Sequence, residues 1–538
     1  MAHRPPRSTF PPRALPAIGR RALLGALAAA AAGRGAAAQE RALTIALAQQ
    51  PSAIDPHFHD SQINRGILAS IFDRLVHQDA EQRPIPGLAT SWRALDSRRW
   101  VFTLRRGVRF HDGAPFAAAD VLASFRRAAA VPNSPSSFGL YLRAIAAAEA
   151  PDDHTLLITT REPAGLLPLE LAAIAIVPRA IESATTEDFA SGRAMVGTGP
   201  LRFAGWQPGE RLDLAGNPDH WAGSPLWRAV RIEFLPPPQT RIAALLSGRV
   251  QVVNAVPPSM VDMLASHPRA RLVQRVTNQL VYLQIASGPA VTPHATDLAG
   301  GEIANPLRDL RVRRALSLAI NRAAIAERLL AGLAEPAAGL MPEGREPGGR
   351  RFAPPRFDAD EARRLLEEAG HGAGFALTLH GSNESVPGAD AVLQAIAAML
   401  ARIGIAARVE VLPRSIFLAR AARGELSVAI FPRSFPTGEP STALRAVLAT
   451  PDPATGWGGS NRSGWSNPAF DRLVAQAVAT VEERERAALL DAATRLALDD
   501  VAIIPLYHPA SVWALRPGLA FTPRADDYTL PADIRAET

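Results

Sequence analysis

Cysteine is absent from the 538 residues, and lysine is absent as well, so all 58 basic residues are arginines. The lack of cysteine excludes disulfides, thiolate metal sites, cysteine nucleophiles and lipid attachment at an N-terminal cysteine. Long apolar runs are also missing. The best candidate, at 22–32, is far shorter than the roughly 20 residues that a membrane-spanning helix needs. The body of the chain is therefore predicted not to be an integral membrane protein.

The net charge of +7 suggests nucleic-acid binding at first sight, but its distribution argues against it. Six arginines and no acid precede Gln39, so that short segment holds almost the whole excess. The remainder carries too little positive charge to neutralise a phosphate backbone. With 47% hydrophobic and 20% charged residues, the composition is that of an ordinary folded protein of about three domains.

Residues 1–38 are predicted to be an export signal. A basic stretch ends in Arg20-Arg21, an alanine-rich core follows, and Ala36-Ala37-Ala38 supplies the small residues that a signal peptidase accepts. The arginine pair with its two following leucines resembles a twin-arginine signal, and an ordinary secretory signal is the alternative. The mature chain would begin near Gln39 and be soluble in the periplasm, without a lipid anchor.

Strand and helix patterns are mixed throughout the mature chain. Alternating apolar residues predict strands such as 42–48 and 281–285, whereas apolar residues spaced by three and four predict helices such as 62–75 and 312–330. This mixture favours α/β or α+β domains over a repeat array.

Catalytic signatures are missing. The sequence has no G-x-S-x-G elbow, no H-E-x-x-H helix and no G-x-x-x-x-G-K-[ST] loop. Gly197-Thr198-Gly199-Pro200 begins like a dinucleotide fingerprint, but it lacks the third glycine, and proline has no N–H to donate to phosphate. We therefore predict a protein that is not an enzyme and uses no cofactor.

One group of residues could in principle ligate a metal. His57 and His59 flank a phenylalanine beside Asp55 and Asp60, which brings imidazole and carboxylate together. A polar loop is the commoner interpretation of such a segment, so no metal site is predicted here.

The most specific signal is an ordered run of motifs. G-L-A-T-S-W at 87–92 is followed by W-V-F-T-L-R-R-G-V-R-F-H-D-G-A-P-F at 100–116 and by A-D-V at 119–121. This run resembles the signature of family 5 extracellular solute-binding proteins, the peptide- and nickel-binding subunits of ABC importers. Further matching stretches follow in the same order at 196–221, 240–250, 309–322, 464–471 and 504–508.

The resemblance implies a periplasmic binding protein-like fold of the mixed α/β (α+β) class, with three domains in two hinged lobes. Domain I would comprise 39–75, 195–285 and 505–538, domain II would be inserted at 76–194, and domain III would span 286–504. The crossings near Ser287 and Pro505 would be the hinges. It also implies a monomer that captures a small solute, peptide-like or otherwise organic, and delivers it to ABC permease and ATPase subunits. A nickel- or metallophore-binding importer subunit is the alternative.

The resemblance also indicates where a ligand would bind. Peptide-binding members hold the ligand's amine with an aspartate in a loop that often reads G-D-x-x-D-P, and the corresponding loop here, 432–440, places Pro436 at that position. Dipeptide-binding members take the ligand's carboxylate with an arginine, and an ungapped count places Asn383 there. Each lost charge-assisted hydrogen bond removes about 1.5–3 kcal/mol, so tight binding of simple dipeptides is not expected.

The remaining candidates lie on and near these loops. Arg433, beside an aromatic residue, could grip a carboxylate or a planar ligand, or it could point to solvent. Trp457 could form an aromatic wall of the cleft or lie on the lobe surface. The predicted ligand-binding residues are Arg433, Phe435, Thr437, Glu439, Asn383 and Trp457.

Overall fold

The computed structural model describes residues 42–349 and 351–537, so the predicted export signal and the predicted start at Gln39 lie outside the described residues. The strands are β1 Ala42–Leu47, β2 Val76–Gln78, β3 Pro84–Pro86, β4 Ala89–Ala94, β5 Arg99–Leu104, β6 Ile145–Asp152, β7 Thr155–Thr160, β8 Leu201–Gln207, β9 Arg211–Gly216, β10 Ala229–Phe234, β11 Val252–Val253, β12 Arg271–Val276, β13 Gln279–Ile285, β14 Ala295–Thr296, β15 Ala334–Pro336, β16 Phe375–Gly381, β17 Ile405–Val411, β18 Val428–Ser434, β19 Ile503–Leu515, β20 Leu519–Phe521 and β21 Ile534–Ala536.

The α-helices are α1 Gln62–Leu68, α2 Ala118–Ala130, α3 Leu167–Leu171, α4 Thr186–Ala190, α5 Pro238–Ser247, α6 Pro258–Ala265, α7 Leu310–Ala319, α8 Arg322–Ala324, α9 Ala359–Glu368, α10 Ala389–Ala401, α11 Arg414–Ala422, α12 Ser441–Ala443, α13 Pro468–Ala479 and α14 Glu483–Asp499. Short 3₁₀ and π segments lie between them, at Phe138–Leu142, Arg179–Ile181, Pro306–Arg308, Ile325–Leu329, Leu444–Leu448 and Pro531–Asp533.

A sheet of 13 strands runs through the molecule. Its main path is β14-β16-β18-β13-β19-β11-β1-β10-β9-β8, and a separate four-stranded sheet follows the order β4-β5-β7-β6. The long strand β19 pairs with β13 at its start and with β12 and β11 towards its end. We call residues 42–278 and 508–537 the first lobe, and residues 279–349 and 351–507 the second lobe. Strand β19 belongs to both.

The sheet of the second lobe has buried apolar side chains on both faces, because successive residues along a strand point to opposite faces. In β18, Ile430 packs into one buried apolar cluster and its neighbour Phe431 into another on the opposite face. Strand β13 repeats the pattern with Leu283 and Tyr282, because successive side chains of a strand point to opposite faces. The sheet of the second lobe is therefore covered by helices on both sides.

Two predicted helices are shorter in the structure than the apolar spacing indicated. Helix α1 ends at Leu68, because Ile71 packs in the core around β1 while Leu75 packs in the core of the four-stranded sheet. The predicted helix 312–330 is broken after Ala319. Asn321 begins a new helix there, its Oδ1 accepting a hydrogen bond of 2.9 Å from the N–H of Ala324.

Candidate ligand-binding cleft

The loop that follows β18 is held by side chains of the first lobe. Gln78 donates through Nε2 to the carbonyl of Pro436 at 3.0 Å, and Gln82 donates to the carbonyl of Phe435 at 3.2 Å. Gly438 has φ 75°, and a Cβ there would lie 2.7 Å from the backbone oxygen of Gln82. Only glycine fits this conformation and this close approach. The loop is thus pressed against the first lobe.

A second contact joins the lobes about Gly165. Its N–H donates to the carbonyl of Val478 at 2.8 Å, and a Cβ added to Gly165 would lie 1.9 Å from the backbone oxygen of Thr480. Nearby, Arg445 of the second lobe pairs with Glu170 of the first at 2.9 Å. The structure therefore shows the two lobes in a closed arrangement.

Two cavities lie between the closed lobes. The smaller, of about 90 Å³, is lined by Arg65, Arg74, Tyr141 and Tyr528 of the first lobe and by Pro436 and Thr437 of the second. The larger, of about 490 Å³, is lined by Trp92 and Trp100 of the first lobe and by Glu346, Glu439 and Arg486 of the second. Leu169 and Thr437 line both cavities, so they are adjoining compartments of one cleft.

Local structure fixes the polar groups of the smaller cavity. Helix α1, capped by Ser61, carries Arg65, whose Nε lies 3.3 Å from Oδ1 of Asp60. The hydroxyl of Tyr141 donates to the other oxygen of Asp60 at 2.9 Å. The ring of Tyr528 lies against Gly66, where an added Cβ would be 2.8 Å away. Burial raises the pKa of both tyrosines, so the phenols are neutral.

Two glutamates of the larger cavity are poorly solvated. Burial raises the pKa of Glu346 to about 8, and its Oε1 accepts a hydrogen bond of 3.2 Å from the N–H of Met341. Burial also raises the pKa of Glu439, although Arg486, whose Nε lies 3.4 Å from Oε2, opposes the shift. At neutral pH Glu346 is mainly protonated, so it can donate a hydrogen bond as well as accept one.

The structure places the predicted site residues in different surroundings. Arg433 lines a third cavity, of about 290 Å³, formed wholly by the second lobe with Tyr282, Arg414 and Arg462. Its Nη2 donates to the carbonyl of Thr442 at 3.3 Å, and its buried Nε has no hydrogen-bond partner among the described residues. Burial lowers the pKa of Arg433. Arg433 is thus half-buried against a cavity.

The other predicted residues are divided between cleft and scaffold. Thr437 and Glu439 are buried and line the larger cavity. Asn383 is exposed, and its Oδ1 accepts a hydrogen bond from the N–H of Asp390 at the start of α10. Phe435 is fully buried in the core of the second lobe, and Trp457 packs half-buried against the same core. The side chain of Phe435 therefore anchors the loop in the core of the second lobe.

The two histidines considered as metal ligands are hydrogen-bonded within the protein, and Nδ1 of His59 lies 2.7 Å from the hydroxyl oxygen of Ser52. His57 is fully buried, and its Nε2 lies 2.8 Å from the carbonyl oxygen of Ala175. Asp55 beside it forms an ion pair of 2.8 Å with Arg127. Within residues 42–349 and 351–537, no three histidine, aspartate or glutamate side chains are grouped so as to hold a metal ion. The metal-carrier alternative thus loses the residues that suggested it.

Sequence reasoning missed the first-lobe side of the cleft. Arg65 and Arg74 lie in the segment predicted as helix 62–75, whereas Tyr141 and Tyr528 lie far from it in the sequence. None of the four residues is in a recognised motif. The one available signal was a pair of arginines within the predicted amphipathic helix 62–75, and unpaired arginine is rarely buried.

Comparison with known proteins identifies the family. Residues 83–454 match the family model of bacterial extracellular solute-binding proteins, family 5 Middle. The chain therefore belongs to family 5 of the bacterial extracellular solute-binding proteins, which are binding proteins of transport systems and not enzymes. In the part of the chain that the structure describes, no helix has the length and apolar character required to cross a membrane.

The similar proteins agree with this class. The glutathione-binding protein GsiB of Salmonella choleraesuis strain SC-B67 is 29% identical over 475 residues, covering 86% of this chain and 88% of that protein. The periplasmic binding protein DppA of Helicobacter pylori, in complex with the peptide STSA, has a TM-score of 0.74 at 24% identity, covering 94% of this chain and 100% of that one. HbpA2 of Haemophilus parasuis has a TM-score of 0.79 at 22% identity, covering 92% and 100%. The predicted family and the mixed α/β, two-lobed fold are confirmed.

Proposed function

We propose that this chain captures a peptide-like organic solute in the cleft between its lobes and delivers it to the permease and ATPase subunits of an ABC importer. The observation that carries the proposal is a pair of adjoining cavities, each lined by side chains of both lobes. A solute in this space contacts both lobes at once and so stabilises the closed state relative to the open one. The names of the relatives, a glutathione-binding protein and a peptide complex, support a peptide-like solute.

The cleft has the size and chemistry that such a solute needs. The larger cavity, of about 490 Å³, lies within the range of roughly 300–1,000 Å³ typical of small-molecule sites. Its wall combines the indoles of Trp92 and Trp100 with the carboxyl groups of Glu346 and Glu439. Apolar surface with a few directed polar groups is the usual composition of a binding site for an organic solute.

We also propose the predicted division into domain I (39–75, 195–285, 505–538), domain II (76–194) and domain III (286–504), in which strand β13 crosses from domain I into the second lobe and pairs there with β18. It is supported by separate apolar clusters, one around Leu43 and Trp513, one around Phe102, and others around Ile430 and Phe431. The mature protein would act as a monomer in the periplasm.

The test begins with protein purified from the periplasm of the cells that naturally produce it. Native mass spectrometry should detect a co-purified organic solute, and small-angle scattering should show a smaller radius of gyration with that solute than after its removal. A solute that binds without contraction would contradict the two-lobe mechanism, and protein that carries no solute and never contracts would contradict the proposed function itself.

A further inference from the structure

The smaller cavity contains one guanidinium that the protein itself leaves largely without partners. Arg65 is paired with Asp60, and Arg524 forms an ion pair of 2.8 Å with Asp526. Arg74 has no carboxylate oxygen within 4.0 Å among the described residues, and its side chain makes one hydrogen bond, from Nη2 to the carbonyl of Arg65 at 3.2 Å. Its buried Nε has no partner within the described part of the chain.

Asp73, the acidic residue next to Arg74 in the sequence, is hydrogen-bonded to other side chains. Asp73 accepts hydrogen bonds from the hydroxyl of Thr198 at 2.9 Å and from the indole N–H of Trp221 at 2.8 Å. It also lies 3.2 Å from Nε2 of His77. Arg74 thus remains charged and partly buried beside an interlobe cavity, and five N–H donors in a planar fork suit a carboxylate acceptor.

The dimensions of the cavity limit what can enter. A water molecule requires roughly 10–15 Å³ of such space, so about 90 Å³ accommodates a carboxylate and its adjacent carbons but not a whole peptide. Two neutral phenols, of Tyr141 and Tyr528, also line it. The nearby acids Asp60 and Asp526 disfavour a group with two negative charges, such as phosphate.

We infer that the smaller cavity is a carboxylate subsite and that Arg74 is its specificity-determining residue. This inference rests on the proposed function. One carboxylate of the solute lies against Arg74, and the rest of the solute extends past Leu169 and Thr437 into the larger cavity. Dipeptide-binding members of the family bind the ligand's carboxylate with an arginine at the position of Asn383. In this chain Arg74 of the first lobe supplies the guanidinium instead.

A small probe tests the subsite directly. The melting temperature of ligand-free mature protein is measured with millimolar sodium propionate, with propionamide, and with sodium chloride at the same ionic strength. Propionate should stabilise the wild type and the control Arg193→Gln, an exposed first-lobe arginine paired with Asp188, and should not stabilise Arg74→Gln. No stabilisation of the wild type, or equal stabilisation of Arg74→Gln, would overturn the inference.

The co-purified solute provides the second test. Arg74→Gln should bind it at least tenfold more weakly, and Arg74→Lys should be intermediate because lysine keeps the charge but loses the planar fork. Unchanged affinity of Arg74→Gln would reject the subsite while leaving solute capture intact. A wild type that binds no solute in mass spectrometry would reject the proposed function, and the subsite with it. Unchanged melting of the solute-free variants shows that folding is not the cause.

Discussion

Replacing Gly165 by alanine should prevent full closure of the lobes. A Cβ there would lie 1.9 Å from the carbonyl oxygen of Thr480, whereas ordinary contacts are 3.4–4 Å, so the lobes must separate locally by about 1.5 Å. The hydrogen bond from Gly165 to Val478 would be lost, at about 0.5–1.5 kcal/mol, and the clash adds about 1–3 kcal/mol. Together these terms predict solute affinity weaker by at least about tenfold.

The assay compares Gly165→Ala with Gly205→Ala by calorimetry and scattering. Gly205 lies in β8, where the nearest atom to an added Cβ is Oδ2 of Asp213 at 4.0 Å. Gly165→Ala should bind the co-purified solute weakly and contract less, while its solute-free form should melt near the wild type, because the contact exists only in the closed state. Wild-type affinity together with full contraction in Gly165→Ala would refute the reasoning.

Three further results are expected. Amino-terminal sequencing of periplasmic protein should find Gln39 at the start, and an Arg20→Lys, Arg21→Lys double variant should be poorly exported; undiminished export would count against a twin-arginine signal. Simple dipeptides should bind weakly because the Pro436 position offers their amine no charge; micromolar dipeptide binding by calorimetry would contradict this. The pKa of Glu346 is raised to about 8 by burial, so the folded state keeps a proton that the unfolded state has lost, and stability from this group declines as pH rises from about 4.5 to 8. Glu346→Gln should therefore gain most in melting temperature, relative to the wild type, near pH 8; an equal gain at pH 5 would show that ionisation is not responsible.

The strand and helix patterns predicted much of the second lobe because burial there follows simple periods. The strand predicted at 281–285 is observed as Gln279–Ile285, and only its first two residues, which pair with the end of β18, were missed. Periodicity failed where one segment serves two cores, as with Ile71 and Leu75.

The candidate site was less accessible to sequence reasoning. Thr437 and Glu439 were predicted because the family resemblance pointed to the loop 432–440, and they line the larger cavity. Arg74 and Tyr528 are far apart in sequence and meet only in the folded chain. No local sequence pattern predicts that these two residues lie close together, because their proximity depends on how the domains pack.

Strand β19 has a consequence for how the chain is made. It is the only strand that pairs with both β13 and β12 among the described residues, and it is formed by residues 503–515, which come after all of its partner strands in the chain. During synthesis, strands β11, β12 and β13 therefore each keep a hydrogen-bonding edge unpaired until β19 has been made. Exposed edges of this kind promote pairing between chains, so a prematurely terminated product should aggregate, and a chaperone that shields these edges would raise the yield of native protein.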